Sequence, residues 1–88
     1  MAFYNICFKN SVEKDFKKLP HSVLHRVTKR VELLATDPFP RGVSKLSGSE
    51  HLYRIRVGDY RIIYSINDRK KLIIVHYVRH RRDAYRDL

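Results

Sequence analysis

Between Leu52 and Tyr64 the chain reads LYRIRVGDYRIIY, two alternating stretches separated only by Gly58 and Asp59. A two-residue loop with glycine first suits a II′ turn, whose twist matches that of the strands it joins. Loop length then dictates pairing: Val57 faces Tyr60, Arg56 faces Arg61, Ile55 faces Ile62, Arg54 faces Ile63 and Tyr53 faces Tyr64. Strand side chains alternate between two faces. One face therefore holds Tyr53, Ile55, Val57, Tyr60, Ile62 and Tyr64, a core. The other holds Arg54, Arg56 and Arg61 beside Ile63.

A fold has no need of that second face. Like charges directly opposed on a sheet are unfavourable, by a few tenths of a kcal/mol to ~1 kcal/mol. Three guanidiniums on one rigid surface suit a polyanion, because the planar fork matches phosphate oxygens and stays charged at any physiological pH. A solvated basic surface that keeps a sheet soluble is the plainer alternative.

The 88 residues are enough for one domain spanning 1–88, and 43% of them are hydrophobic, which suffices for a core. Seven basic residues stand against four acidic ones through Pro40, and twelve against five after it, giving a formal charge of +10. The excess lies in the half that carries the hairpin. Such a balance favours nucleic acid or another acidic partner. The lone Cys7 sits in an apolar run and reads as a small buried hydrophobe, compatible with a reducing cytoplasm. No signal peptide and no apolar run of membrane-spanning length is present, so no membrane is expected.

Taken in order, Ala2 to Phe8 is rich in strand formers, with Tyr4, Ile6 and Phe8 on one side. Asn10 with Glu13 makes a capping box for a short helix whose buried stripe is Val12, Phe16 and Leu19. Pro20 closes it and opens the next. From His21 to Ala35, Leu24, Val27, Val31 and Leu34 recur at helical spacing, and Pro38 and Pro40 stop that helix. The loop from Arg41 to His51 is long enough to bind something or simply to cross the sheet. Leu72 to Val78, LIIVHYV, is apolar on both sides, as a central strand would be. Arg79 to Arg86 is a dense basic tail. The pattern is α+β: two N-terminal helices packed on one face of a small twisted antiparallel sheet, in the order β-α-α-β-β-β, with a short helical or irregular tail. The opposite sheet face stays open and carries the arginines.

Metal chemistry finds little support. His76 and His80 would lie ~13 Å apart on a strand, too far for one ion. Phosphate-binding glycine loops, dinucleotide fingerprints and nucleophile elbows are absent, so no cofactor is implied. One reaction that suits a cationic site without a metal is RNA cleavage through the 2′-hydroxyl. It needs a base for that hydroxyl, a positive clamp on the phosphorane and an acid for the 5′-oxygen. Arg54, Arg56 and Arg61 would clamp, Arg81 would complete the site from the end of the last strand, and Tyr85 would stack a base. On the residues alone this is one of several basic-surface readings.

Three segments carry a resemblance: Lys45-Leu46-Ser47-Gly48, YRIRVGDYRIIYSI from Tyr53 to Ile66, and VRHRRDAYR from Val78 to Arg86. Together they resemble the RelE-type toxins of the RelE/ParE superfamily, and the element order matches over essentially the whole chain. The resemblance implies a cytoplasmic toxin of a type II toxin–antitoxin system. Its activity would be that of an mRNA interferase, a metal-independent endoribonuclease that cuts messenger in the ribosomal A site and so inhibits translation. Its partners would be ribosome and mRNA, and a cognate antitoxin, RelB-like or other, that neutralises it in a hetero-oligomer.

Carried over by position, the family's catalytic set falls on Arg54, Arg56, Arg61, Arg81 and Tyr85. The family pattern has lysines at positions 54 and 56. Arginine does not give up its proton, so the base must lie elsewhere. His80, next to Arg81, is the candidate acid/base; His76, Glu50 and a ribosomal group are the others. Two further classes share the fold: a ParE-like poison of DNA gyrase, against which the Arg61, Arg81 and Tyr85 set argues, and a catalytically weakened RNA-binding relic.

Overall fold

The computed structural model describes residues 3–46 and 51–84. Strand β3 (Leu52–Val57) and strand β4 (Tyr60–Asn67) form the hairpin in the register that the loop length requires, with Arg56 opposite Arg61. Gly58 takes φ 58° while Asp59 keeps a negative φ, the II′ signature. A Cβ there would also come within 3.1 Å of Arg26 Nη2, so that side chain would have to shift slightly.

The remaining elements are β1 (Asn5–Phe8), α1 (Val12–Lys17), α2 (His21–Leu34), the two-residue strand β2 (Ser44–Lys45) and β5 (Leu72–His80). The sheet runs β1-β5-β4-β3-β2. Helix α1 starts after Ser11, and no side chain caps it, so the Asn10–Glu13 capping box does not form. Pro20 does open α2, standing at its N-cap. From α2, Val27, Val31 and Leu34 are buried in one cluster with Val12 of α1 and Ile55, Ile62, Tyr64, Ile73, Val75 and Val78 of the sheet. Each such side chain contributes ~1.5–3 kcal/mol by leaving water. Tyr64 keeps its hydroxyl satisfied inside by donating to Pro38 O at 2.8 Å. Burial first, and the charge of Asp37 next, push its pKa well above the usual tyrosine value.

Several expectations are corrected. The sheet is not wholly antiparallel: β1 lies parallel to β5, Asn5 beside Leu72 and Phe8 beside Val75. Two helices separate β1 from the hairpin, a connection long enough for the chain to return in the parallel sense. β5 has strands on both sides, as its apolar character requires, but the middle strand is β4, and β5 continues past Val78 to His80. Cys7 is exposed, because β1 is an edge strand and Cys7 alternates with the inward Ile6. The face away from the helix-covered core is not bare, for Ile63 at its centre has no exposed surface.

Strand β5 also carries a bulge. Ile63 pairs with Tyr77 and Tyr64 with Val75, leaving His76 as an extra residue. The bulge lets Val75 and Val78, three apart, both reach the core. A polar residue is tolerated there because its Nε2 lies 2.9 Å from Ser65 Oγ.

Candidate functional site

The bulge decides which residues of β5 join the arginines. Unbroken alternation from Ile73 and Val75 would have sent Tyr77 and Arg79 to the core side. With His76 looped out, Tyr77 pairs with Ile63 and Arg79 with Arg61, while Val78 pairs with Ile62 and His80 with Tyr60. Three adjacent strands thus present Arg56, Arg61 and Arg79 side by side at one level of the sheet. Arg54, Ile63 and Tyr77 form the next level.

Local contacts hold the guanidiniums of Arg61, Arg54 and Arg79, while Arg56 is exposed. Arg61 Nη1 donates to the carbonyls of Gly58 and Tyr60, both at 3.0 Å, so the hairpin turn anchors it. Arg54 Nη2 donates to Ser44 Oγ at 2.7 Å across the β2–β3 pair. Arg79 places its guanidinium carbon 4.0 Å from the centre of the Tyr77 ring, a cation–π contact. Its Nε lies 3.9 Å from the carboxylate of Asp15. Asp15 is itself fixed, because its other oxygen accepts the Val78 N–H at 3.1 Å. That amide lies beyond the last β1–β5 pair, so a side chain from α1 serves where the edge strand has ended.

Arg81 follows β5, and its N–H donates to Asp59 O at 2.7 Å, which draws the exit of the strand against the hairpin turn. Its side chain is exposed at the same end as Arg56 and Arg61. The Asp59 carboxylate 4.0 Å from its Nε is exposed too, so that ion pair contributes little.

Of the residues singled out in the sequence, Arg54, Arg56 and Arg61 share one face and Arg81 stands at its end. Tyr85 and Glu50 lie outside the described residues. His80 stands apart from the arginine row: its ring meets Tyr60 edge-on at 5.3 Å, and its Nδ1 accepts the Arg82 N–H at 3.2 Å. It opens on a cleft of about 560 Å³ that Asp15, Lys18 and Asp83 also line. His76 is on the arginine side through its Ser65 contact. Burial, with Lys9 adding to it, lowers its pKa below the usual 6.5, which keeps the ring neutral at physiological pH. Arg79 is the residue that the sequence reading missed. Its only sequence signal is a basic residue directly after an apolar strand, and without the bulge that position points the other way.

A family model described as the ParE toxin of the type II toxin–antitoxin system parDE matches residues 6–85. The chain belongs to this toxin family. Its RelE branch supplies close relatives. The RelE1 toxin of Methanocaldococcus jannaschii is 32% identical over 96% of this chain and 97% of its own length. Toxin RelG of Mycobacterium tuberculosis is 30% identical over 94% of this chain and 97% of its own. Among solved structures, the archaeal RelE–RelB complex from Pyrococcus horikoshii superimposes with a TM-score of 0.80 at 34% identity, covering 90% of this chain and 96% of the other. This is a RelE-type toxin, and the helices on a five-stranded sheet are the RelE fold.

Proposed function

We propose that this RelE-type toxin is a ribosome-dependent endoribonuclease that cuts messenger RNA in the A site. The observation that carries the reading is the row Arg56, Arg61 and Arg79 on three neighbouring strands, with Arg54 below it and Arg81 at its end. Cross-strand repulsion disfavours such a row; Asp15 offsets it at Arg79, and a bound phosphate would relieve it at Arg56 and Arg61 as well. In the reaction the 2′-oxygen attacks the adjacent phosphorus as a base removes its proton. The P–O5′ bond breaks, and the departing oxygen takes up a proton, leaving a 2′,3′-cyclic phosphate and a 5′-hydroxyl. Charge on the phosphoryl oxygens rises on the way to the phosphorane. Guanidiniums already anchored by turn carbonyls and Ser44 meet that charge with little reorganisation.

The same side chains cannot accept the 2′-hydroxyl proton, because guanidinium stays protonated. We assign that step to a group supplied by the ribosome–messenger complex, which gives a physical reason for ribosome dependence. Tyr85 would stack the nucleotide base. The chain acts in the cytoplasm on this reading, and an antitoxin holds it in check. The RelE of Pyrococcus horikoshii forms a complex with RelB, which supports a partner of that kind here. A partly disordered acidic antitoxin suits a surface of charge +10.

The test is cleavage of a defined messenger on programmed ribosomes, beside free RNA and DNA gyrase. Wild-type protein should cut only the first. Arg81→Ala should lower that rate by roughly 10²-fold, the scale of losing one transition-state donor. The matching family model is named for ParE, so gyrase poisoning is the second reading. Gyrase inhibition without messenger cleavage would establish that one instead.

A further inference from the structure

The arginine face does not end at β3. Strand β2 pairs with β3 at Tyr53 and Arg54, and among the described residues no strand lies along the outer edge of β3 from Ile55 onward. A cleft of about 370 Å³ opens there, lined by Arg30 of α2, Arg41 and Ser44 of the following segment, and Arg54 and Arg56 of β3. Four arginines line it, and among the described residues none of its lining is acidic. Arg30 lies one helical turn from Arg26, which packs against Gly58, so the flank of α2 brings cations along the same edge.

Two further donors point the same way. Ser44 Oγ accepts from Arg54, which leaves its O–H to donate. In a hairpin closed by a two-residue loop, Val57 and Tyr60 exchange the hydrogen bonds nearest the turn. Arg56 therefore directs its N–H away from β4, to the edge that β2 does not cover.

We propose that this cleft is a second phosphate-binding subsite, in which Arg30 and Arg41 hold a phosphate of the RNA strand that flanks the one being cut. The inference rests on the arginine face being the RNA-cleaving surface, and it extends that face around the β3 edge. Arg54 and Arg56 belong to both, so a strand lying over the sheet runs into the cleft without a break in positive charge. A carboxylate-rich peptide is a poorer occupant. The apolar lining is Val43 and the fully buried Ile55, which offers none of the apolar anchorage that carries most peptide affinity.

The experiment uses intact toxin on ribosomes programmed with messenger made uncleavable by a 2′-O-methyl group at the cut. Neutral methylphosphonates replace single phosphates around that position. With wild-type toxin, neutralising one flanking phosphate should weaken binding roughly tenfold, as expected for charge-assisted hydrogen bonds. In R30Q/R41Q binding should already be weaker by about that factor, and the same methylphosphonate should then have no further effect. The salt dependence should fall by about 0.7 in log–log slope, the share of one single-strand phosphate. R30K/R41K should retain most of the binding. R41Q alone, a change in an exposed loop, repeats the test should the double variant fold poorly.

The proposal is overturned if R30Q/R41Q keeps the wild-type sensitivity to that phosphate, or behaves like the charge-matched control K14Q/K17Q on α1. It is also overturned if the variant loses affinity for its antitoxin rather than for messenger. Wild-type toxin that cuts messenger while these variants bind normally removes the subsite alone. Wild-type toxin that neither binds nor cuts messenger removes the cleavage reading and the subsite together.

Discussion

Replacing Arg61 by glutamine should separate catalysis from stability. The guanidinium makes two hydrogen bonds of 3.0 Å to turn carbonyls in a partly solvated position. Each contributes about 0.5–1.5 kcal/mol, at the lower end where water competes. Against that, Arg61 stands between Arg56 and Arg79. Each like-charged neighbour costs a few tenths of a kcal/mol to ~1 kcal/mol, and that cost is relieved when the charge goes. The terms nearly offset, so Arg61→Gln should change folding stability by less than about 1 kcal/mol. Its effect on the reaction is not offset. Losing one anchored donor to the phosphorane costs about 2.7–4 kcal/mol, a rate lower by roughly 10²–10³. Urea titration reads the first quantity, and the first-order rate at saturating toxin on programmed ribosomes reads the second. A folded variant that cuts within about threefold of wild type would refute the clamp. A stability loss beyond about 2 kcal/mol would show that the guanidinium serves the turn instead.

Arg56→Lys should leave the cleavage rate and its pH optimum close to wild type, because a ribosomal base leaves Arg56 only a charge to supply; a faster rate with a lower pH optimum would show instead that a lysine amine, its pKa depressed by neighbouring positive charge, can take the proton and that no ribosomal group does so efficiently. Asp15→Ala should destabilise by about 1.5–3 kcal/mol, since it strands the Val78 N–H and the positive Arg79 at the end of β5; urea midpoints with an unchanged slope measure this. The contact of Tyr4 with Asp68, and of Lys71 Nζ with the same carboxylate at 3.1 Å, ties the start of β1 to the turn before β5. The Tyr4 hydroxyl and then Lys71 hold Asp68 below its ordinary 3.8, so its contribution is complete above that value and fades as pH falls through the lowered one. Tyr4 is raised above 10.0, chiefly by its bond to Asp68, so the alkaline limb is lost as pH climbs through the raised value. Protection of the Asn5 amide, which donates to Lys71 O, should be level through neutral pH and fall at both extremes once intrinsic exchange is corrected for.

How much of this was legible beforehand differs by element. In the hairpin every constraint is local: a two-residue loop, a glycine in the left-handed region and strict alternation. Those settle both the pairing and the side of the sheet on which Arg54, Arg56 and Arg61 stand. The stripe Leu24, Val27, Val31 and Leu34 is equally local, because helical periodicity needs no knowledge of what it packs against; the last three are in the core, while at the first turn Val23 rather than Leu24 packs against it. The resemblance of three segments to RelE-type toxins added the family, which the similarity to RelE1, RelG and the solved RelE structures bears out.

What tertiary structure decided is the meeting of distant pieces. The direction of β1 depends on where two helices deliver the chain, and no side chain of Asn5 to Phe8 encodes it. Asp15 reads as an ordinary surface acid of α1 until that helix is laid beside the uncovered end of β5. The bulge at His76 is the clearest case. Val75 and Val78 both profit from the core, and only contact with Ile62 and Tyr64 of β4 makes looping out one residue the favourable compromise. That compromise sets the parity of everything after it. Arg79 goes to the arginine row and His80 to the helix side because of packing near Tyr64, a choice invisible along either strand alone.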